Sequence, residues 1–198
     1  GAIALATFTT LAQAGAIHDA ALFTTELAAN DDGSTGLVNL GFTANINGTD
    51  FTQTYVNNNG NVTFNNSLGT FTPAAISTGT FGPIIAPFFA DVDTRSMNSD
   101  VVRYGTSTLG GMNVFGVNWI DVGVYSAIDI FNSFQLFLTD RSDVAAGDFD
   151  IQFNYDQIVW ESGQASGSDA SGLGGTSALA GYWTSATSNS TLAGSLVN

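Results

Sequence analysis

Polar and apolar residues alternate without interruption over residues 148–155, D-F-D-I-Q-F-N-Y. Phe149, Ile151, Phe153 and Tyr155 fall on one side of this segment, and the polar residues between them fall on the other. Because successive side chains of a β-strand point to opposite faces, the pattern predicts a strand with one buried and one solvent-exposed face. A single strand cannot cover its own apolar face, so other strands of the chain must bury it.

A second alternating segment, residues 133–139, precedes this strand and carries Phe134, Leu136 and Leu138 on one face. The connection between the two segments is short and polar, which predicts an antiparallel hairpin. The same criteria predict strands at residues 37–42, 51–56, 61–64, 84–90, 101–104, 112–120 and 177–183. Asn-rich and Gly-rich turns are predicted at residues 47–48, 57–60 and 110–111, because these residues accept positive φ angles. Residues 121–132 fit either a strand with an aromatic face or a loop.

The whole pattern predicts an all-β fold, an antiparallel β-sandwich-like domain with an apolar N-terminal extension. The chain has 198 residues, of which 44% are hydrophobic, so it is long enough to bury the core of one domain. We assign this domain to residues 19–198. No amphipathic helix longer than about three turns is predicted after residue 30.

Residues 1–18 form the apolar extension, and two interpretations of it are open. The A-Q-A sequence at residues 12–14 has the pattern of a signal-peptidase site after a short apolar region, although no charged segment precedes it. Alternatively, the extension is an arm that donates a strand to the edge of a β-sheet, its own or a neighbour's. The candidate self-assembly residues are then Ile3, Leu5, Phe8 and Leu11.

The charge of the chain excludes several classes of partner. The formal net charge is −14 at pH 7, with three arginines and no lysine. Nucleic-acid binding requires a basic surface and is excluded, and anionic membrane surfaces are disfavoured for the same reason. The chain has no cysteine, which excludes disulfides and thiolate metal sites. Because secreted animal modules usually contain cysteine, we expect a bacterial or archaeal surface protein.

Six segments of the chain occur in the order of a known family. They are Y-V-N-N-N-G-N-V-T-F at residues 55–64, I-A-P-F-F-A-D-V-D-T-R at 85–95, V-N-W at 117–119, F-Q-L-F-L-T-D at 134–140, G-D-F-D-I-Q-F-N-Y-D-Q-I-V-W-E-S-G at 147–163 and G-L-G-G-T-S-A-L-A-G-Y at 172–182. Together they resemble the extracellular nidogen-like (NIDO) domain, which occurs in nidogen, alpha-tectorin, some mucins and many bacterial secreted proteins. The resemblance implies a non-catalytic extracellular module of adhesive or matrix proteins. The apolar extension is not part of the family pattern.

Asp91 and Asp93 are the candidate metal ligands. They lie two residues apart at the end of an apolar run, so their side chains point the same way if the strand continues. Clustered carboxylate oxygens suit Ca²⁺, and an acid pair also suits catalysis. In the alternative interpretation, one aspartate pairs with Arg95 or caps backbone amides. The resemblance favours this structural role, because family members share the segment without a common reaction.

No catalytic residue is predicted. His18 is the only histidine, which excludes multi-histidine zinc sites, and we expect it to be a solvated or packed bystander. Five aspartates of the second hairpin have only Arg141 as a nearby counter-charge, and solvent is expected to relieve their repulsion. These are Asp140, Asp143, Asp148, Asp150 and Asp156.

Three tryptophans and Glu161 are the candidates for a carbohydrate site. A glycosidase requires two carboxylates about 5–10 Å apart in a sugar-lined cleft. Trp119, Trp160 and Trp183 fit such a lining by residue type, but tryptophan in a phenylalanine-rich β core more often packs.

The sequence therefore predicts a non-enzymatic, secreted surface or matrix protein that acts in adhesion or self-assembly. A more specific form of this prediction is a filament subunit that is joined to its neighbours by N-terminal strand donation. The expected partners are copies of the chain itself, other surface or matrix proteins, or glycans, with no membrane span and no cofactor other than calcium. The alternative is a carbohydrate-binding or calcium-binding module of a larger surface protein.

Overall fold

The computed structural model of the chain describes residues 17–126 and 128–196. The candidate self-assembly residues Ile3, Leu5, Phe8 and Leu11 lie outside the described residues. The strands are β1 (Thr25–Glu26), β2 (Val38–Ile46), β3 (Thr49–Asn57), β4 (Asn61–Thr63), β5 (Ile84–Phe89), β6 (Arg103–Leu109), β7 (Met112–Val124), β8 (Ile128–Asp140), β9 (Phe149–Gln157), β10 (Leu179–Ser185) and β11 (Ser188–Thr191). Three short 3₁₀ helices cover Ala20–Leu22, Ile76–Thr78 and Gln164–Ser166.

The strands form two antiparallel sheets that pack face to face, so the predicted all-β sandwich is confirmed. The five-stranded sheet has the order β1-β6-β7-β8-β9, and the six-stranded sheet has the order β11-β10-β5-β4-β3-β2. The predicted hairpin of residues 133–155 is the β8–β9 pair, in which Leu136 lies opposite Phe153. Among the described residues, no helix is long and apolar enough to cross a membrane.

The main core lies between the sheets and is built around stacked aromatic rings. The rings of Trp119 and Phe134 stack with centroids 5.3 Å apart. The ring centroid of Phe88, in the opposite sheet, lies 5.1 Å from that of Phe134 and 5.3 Å from that of Trp160. All six residues of β5 are buried, because a second apolar cluster that includes Phe89 covers the outer face of this strand. The run at residues 84–90 is thus buried on both faces.

The outer face of the five-stranded sheet is partly covered by the start of the described chain. Asn118, Gln135 and Asn154 form a row of hydrogen-bonded amides across three strands. The backbone of His18 donates to and accepts from Gln135, and its ring lies 5.6 Å from that of Phe137. Asn154 is consequently only 7% exposed, so the polar face of β9 is less solvated than the alternation predicts.

Some strands extend beyond the predicted ranges. The ambiguous residues 121–132 contain the end of β7, a turn and the start of β8. Strands β1 and β11 are not predicted, because they are short and lack alternating apolar residues. They form by backbone pairing with the longer neighbours β6 and β10.

Alanine substitutions at two glycines with similar backbone conformations measure how tightly the turn before β4 is packed. Gly60 has φ 72°, and a Cβ there would overlap the carbonyl of Phe88, whereas Gly48 has φ 82° and open space. We expect Gly60→Ala to lower the free energy of unfolding by about 3 kcal/mol or more, because overpacking adds to the left-handed backbone cost. Gly48→Ala should cost about 1–2 kcal/mol. Urea denaturation measures both, and equal losses would contradict the close packing of this turn.

Candidate functional site

The turn between β3 and β4 is buried although it consists of polar residues. Asn57, Asn58, Asn59 and Asn61 are each 0% exposed. A buried amide without a hydrogen-bond partner costs free energy, so each of these side chains must be matched by other polar groups. Their partners come from distant segments, and the turn therefore organises the loops around it.

Asn58 connects three parts of the chain. Its side-chain nitrogen donates to the carbonyl oxygens of Asp31 and Val92, at 2.6 Å each. The backbone carbonyl oxygen of Asn58 accepts a hydrogen bond from the indole N–H of Trp119 at 3.0 Å. The loop before β2 and the segment after β5 are thus held against the same turn, next to the aromatic core.

The loop at residues 30–33 presents two consecutive carboxylates toward this region. The backbone N–H of Gly33 donates to Oδ1 of Asn30 at 2.6 Å, which closes the turn locally. Asn30 also exchanges hydrogen bonds with Thr94, which fixes the loop to the segment after β5. Asn59 donates to Oδ1 of Asp32 at 2.8 Å. The loop conformation is therefore set from both sides.

These contacts assemble an acidic pocket from residues far apart in the sequence. Each of Asp31, Asp32 and Asp91 contributes one carboxylate oxygen, and these oxygens all lie within 4.8 Å of one another. Asp91 is 2% exposed, whereas Asp32 is exposed. The three carboxylates line a cavity of about 140 Å³ together with Phe71, Tyr125 and Ala165.

The electrostatics of the acidic pocket disfavour three ionised carboxylates. Burial is the largest factor and, with the charges of Asp31, Asp32 and Asp93, raises the pKa of Asp91 to about 7. Burial and neighbouring carboxylates also raise the pKa of Asp31 to about 6. The arrangement suits two chemical states, in which the carboxylates either hold protons or share a cation.

The predicted partner of Asp91 has a different role. Strand β5 ends at Phe89, but Val92 forms an isolated antiparallel β-bridge with Val124, so Asp91 and Asp93 lie on either side of a bridged residue. Asp93 accepts from the backbone N–H and Nε of Arg95, both at 2.9 Å, and its Oδ2 lies 2.7 Å from Nη2 of that residue. Nη2 of Arg95 also lies 2.9 Å from Oδ2 of Asp31.

Sequence reasoning missed Asp31 and Asp32. The D-D-G sequence at residues 31–33 is typical of a turn, which is what it forms. No periodicity connects this loop with Asp91, so only the fold brings them together. The one sequence signal that could have identified them is the presence of two adjacent aspartates in a loop before an apolar strand.

The remaining candidates lie away from the acidic pocket or inside the core. Trp119 and Trp160 are 0% exposed and Trp183 is partly buried, so the first two offer no surface to a sugar. Arg141 pairs with Asp143 at 3.0 Å and Asp150 at 2.7 Å, in the exposed β8–β9 hairpin.

Comparisons with known proteins identify relatives of the whole domain. A family model described as NIDO related matches residues 4–197, so it includes most of the apolar extension, contrary to the expectation that the extension lies outside the family pattern. Alpha-tectorin is 34% identical to this chain over 175 residues in mouse, 33% over 175 residues in human and 32% over 180 residues in chicken. Each match covers 77% of this chain and 8% of the relative. No solved structure gives a significant match.

The chain therefore spans about 8% of the length of the curated relatives it matches. The relatives named are vertebrate proteins, so they lend no support to the expected bacterial or archaeal origin. The extracellular location predicted from the motifs is confirmed by the family match and these relatives.

Stability in metal-free buffer should reveal the raised pKa of Asp91. Because its folded pKa of about 7 lies above the unfolded value, the folded state binds the proton more tightly. This stabilisation is complete below a pH of about 4 and is lost as pH rises through about 7. We expect the contribution of Asp91 to the free energy of unfolding to decrease by about 3 kcal/mol over that range.

Urea denaturation of the wild-type chain and Asp91→Asn at several pH values isolates this contribution. The asparagine variant cannot titrate, so its stability should exceed that of the wild type at pH 8 and lose the advantage at pH 4. Asp156→Asn, which changes an exposed carboxylate outside the acidic pocket, should retain the wild-type dependence. Parallel curves for the wild type and Asp91→Asn would contradict the prediction.

Proposed function

The chain belongs to the NIDO-related family and is an extracellular module of the matrix-protein type, and from this premise we propose that it acts without catalysis, in adhesion or self-assembly. Its partners are other matrix proteins or further copies of the chain. The mechanism is recognition between protein surfaces rather than the conversion of a substrate.

The size of the acidic pocket is the observation that supports a non-catalytic role for its carboxylates. Small-molecule sites usually enclose about 300–1,000 Å³. The acidic pocket encloses about 140 Å³, which leaves no space for a sugar or a peptide between the carboxylates. Its carboxylates therefore serve the structure of the module or bind something as small as an ion.

The free edge of the five-stranded sheet supports association through strand pairing. Strand β9 is the last strand of this sheet, and within the described residues no further strand pairs with it. Cavities of about 580 and 320 Å³ are lined by residues of β9 and β10 along this side of the sandwich. The smaller cavity contains the partly exposed apolar side chains of Ile158 and Leu192. We call this side of the sandwich the β9 groove.

The apolar extension has the properties of a strand for the β9 groove. Residues 3–11 contain no charge and match the nine-residue length of β9. An added strand gains main-chain hydrogen bonds, and its alternate side chains enter pockets. The described chain starts on the outer face of the same sheet, beside β8, while the groove lies at the β9 edge. Donation to a neighbouring copy produces a head-to-tail contact, which makes filaments when it does not close.

Electron microscopy and sedimentation velocity of two chains test the assembly proposal. The chain of residues 1–198 should form filaments or oligomers, whereas a chain that lacks residues 1–17 should remain monomeric. Replacement of Ile3, Leu5, Phe8 and Leu11 by serine should have the same effect as the deletion. The matched control is Ala4→Ser with Ala6→Ser, which changes the same segment without removing large apolar side chains.

The receiving surface is tested by Ile158→Ser in the β9 groove, with Met97→Ser as the control. Met97 is 97% exposed and does not line the groove. We expect Ile158→Ser to weaken association at least about tenfold, because one anchoring apolar contact is lost. Monomers in every sample, or assembly that survives the loss of residues 1–17, would overturn strand donation.

A further inference from the structure

Two carboxylate oxygens of the acidic pocket are buried without a hydrogen-bond partner. They are Oδ2 of Asp91 and Oδ1 of Asp31. The whole side chain of Asp91 is enclosed, since the residue is 2% exposed and Gly163 packs directly against Oδ2. An ionised oxygen that is removed from water and left unpartnered is costly, so such groups are normally paired or bound to a metal ion.

Arg95, the one cation that contacts these carboxylates among the described residues, does not resolve this imbalance. The guanidinium of Arg95 contacts Asp31 through Oδ2 and Asp93 through both of its oxygens. These contacts use the other oxygen of Asp31 and leave Oδ1 unpartnered. Arg95 thus pairs with two of the four carboxylates of this region, and Oδ1 of Asp31 and Oδ2 of Asp91 remain without a partner.

The donor set determines the kind of cation that fits. All three ligand groups are carboxylates, which are hard oxygen donors, and no histidine or cysteine is among them. The oxygens lie within 4.8 Å of one another, a spacing that two Ca–O bonds of about 2.4 Å can bridge. Because Asp32 is exposed, water molecules can complete the six to eight ligands that Ca²⁺ usually takes.

We propose that Asp31, Asp32 and Asp91 bind one Ca²⁺ ion in the acidic pocket. The site differs from the pair Asp91 and Asp93 expected from the sequence, because Asp93 is held by Arg95. The ion connects the loop at residues 30–33 to the segment after β5, two parts of the chain that Asn58 already holds together. Binding therefore stabilises this end of the sandwich and neutralises its excess negative charge.

The affinity should be that of an exposed extracellular site. One of the three ligands faces solvent, so we expect a dissociation constant of about 10⁻⁴–10⁻³ M. At 10 mM Ca²⁺ the site is then largely occupied, and the melting temperature should rise by about 3–10 °C relative to chelator. The same concentration of Mg²⁺, or NaCl at equal ionic strength, should give less than about a third of this rise, because Mg²⁺ demands a tighter octahedral site.

Thermal denaturation and isothermal titration calorimetry of the full chain test the site. Asp91→Asn should bind Ca²⁺ at least about tenfold more weakly and lose most of the melting shift, since a neutral amide replaces the enclosed ligand. In chelator this variant should be as stable as the wild type at pH 8, or more stable, which shows that it folds. Asp31→Asn should reduce binding in the same direction, and Asp156→Asn should respond like the wild type.

The proposal would be overturned if Ca²⁺ raised the melting temperatures of Asp91→Asn and Asp156→Asn by the same amount. The absence of any response in the wild-type chain, or an equal response to Mg²⁺ and NaCl, would also overturn it. The assembly proposal does not enter this test, because a calcium-dependent melting shift is measured equally well on the monomeric chain that lacks residues 1–17.

Discussion

The requirement that buried polar groups be paired controls the structure around the β3–β4 turn. Four asparagines with no exposed surface occupy this turn, and their hydrogen bonds extend to the loop at residues 30–33, to Val92 and to Trp119. Each bond replaces one that water would otherwise make, so the surrounding segments have little freedom to move independently. The turn thus joins the aromatic core of the sandwich to the loops at its end.

The acidic pocket is a consequence of this pairing. The amide of Asn58 needs carbonyl oxygens, and the loop that supplies them carries Asp31 and Asp32. The other carbonyl it uses belongs to Val92, the neighbour of Asp91. Satisfying one buried amide therefore brings carboxylates from two segments together, and the electrostatic conflict that results is only partly relieved by Arg95. A cation that binds there would resolve a conflict that the hydrogen-bond network creates.

The two surfaces of interest have different physical characters. The acidic pocket is small and charged, whereas the β9 groove is larger and combines a free strand edge with apolar side chains. An exposed edge promotes pairing with another strand unless charges or coverage prevent it. In the alpha-tectorins the matched segment is 8% of the protein, so there it works beside many other segments.

The alternation of residues 148–155 and 133–139 determined the β8–β9 hairpin, and the turn residues determined where most strands end. Alternation is a local property, since it reflects only the opposite orientation of neighbouring side chains. The short strands β1 and β11 could not be found in this way, because their partners rather than their own side chains hold them in place.

The sequence by itself also determined the location of the protein and its family, because motif order is a property of the chain. It singled out Asp91 but paired it with Asp93, its neighbour along the chain. Only the tertiary structure decided that Asp31 and Asp32 face Asp91 and that Asp93, rather than Asp91, pairs with Arg95. The physical reason is that the contacts of Asn58 connect segments far apart in sequence, and no local pattern records such contacts.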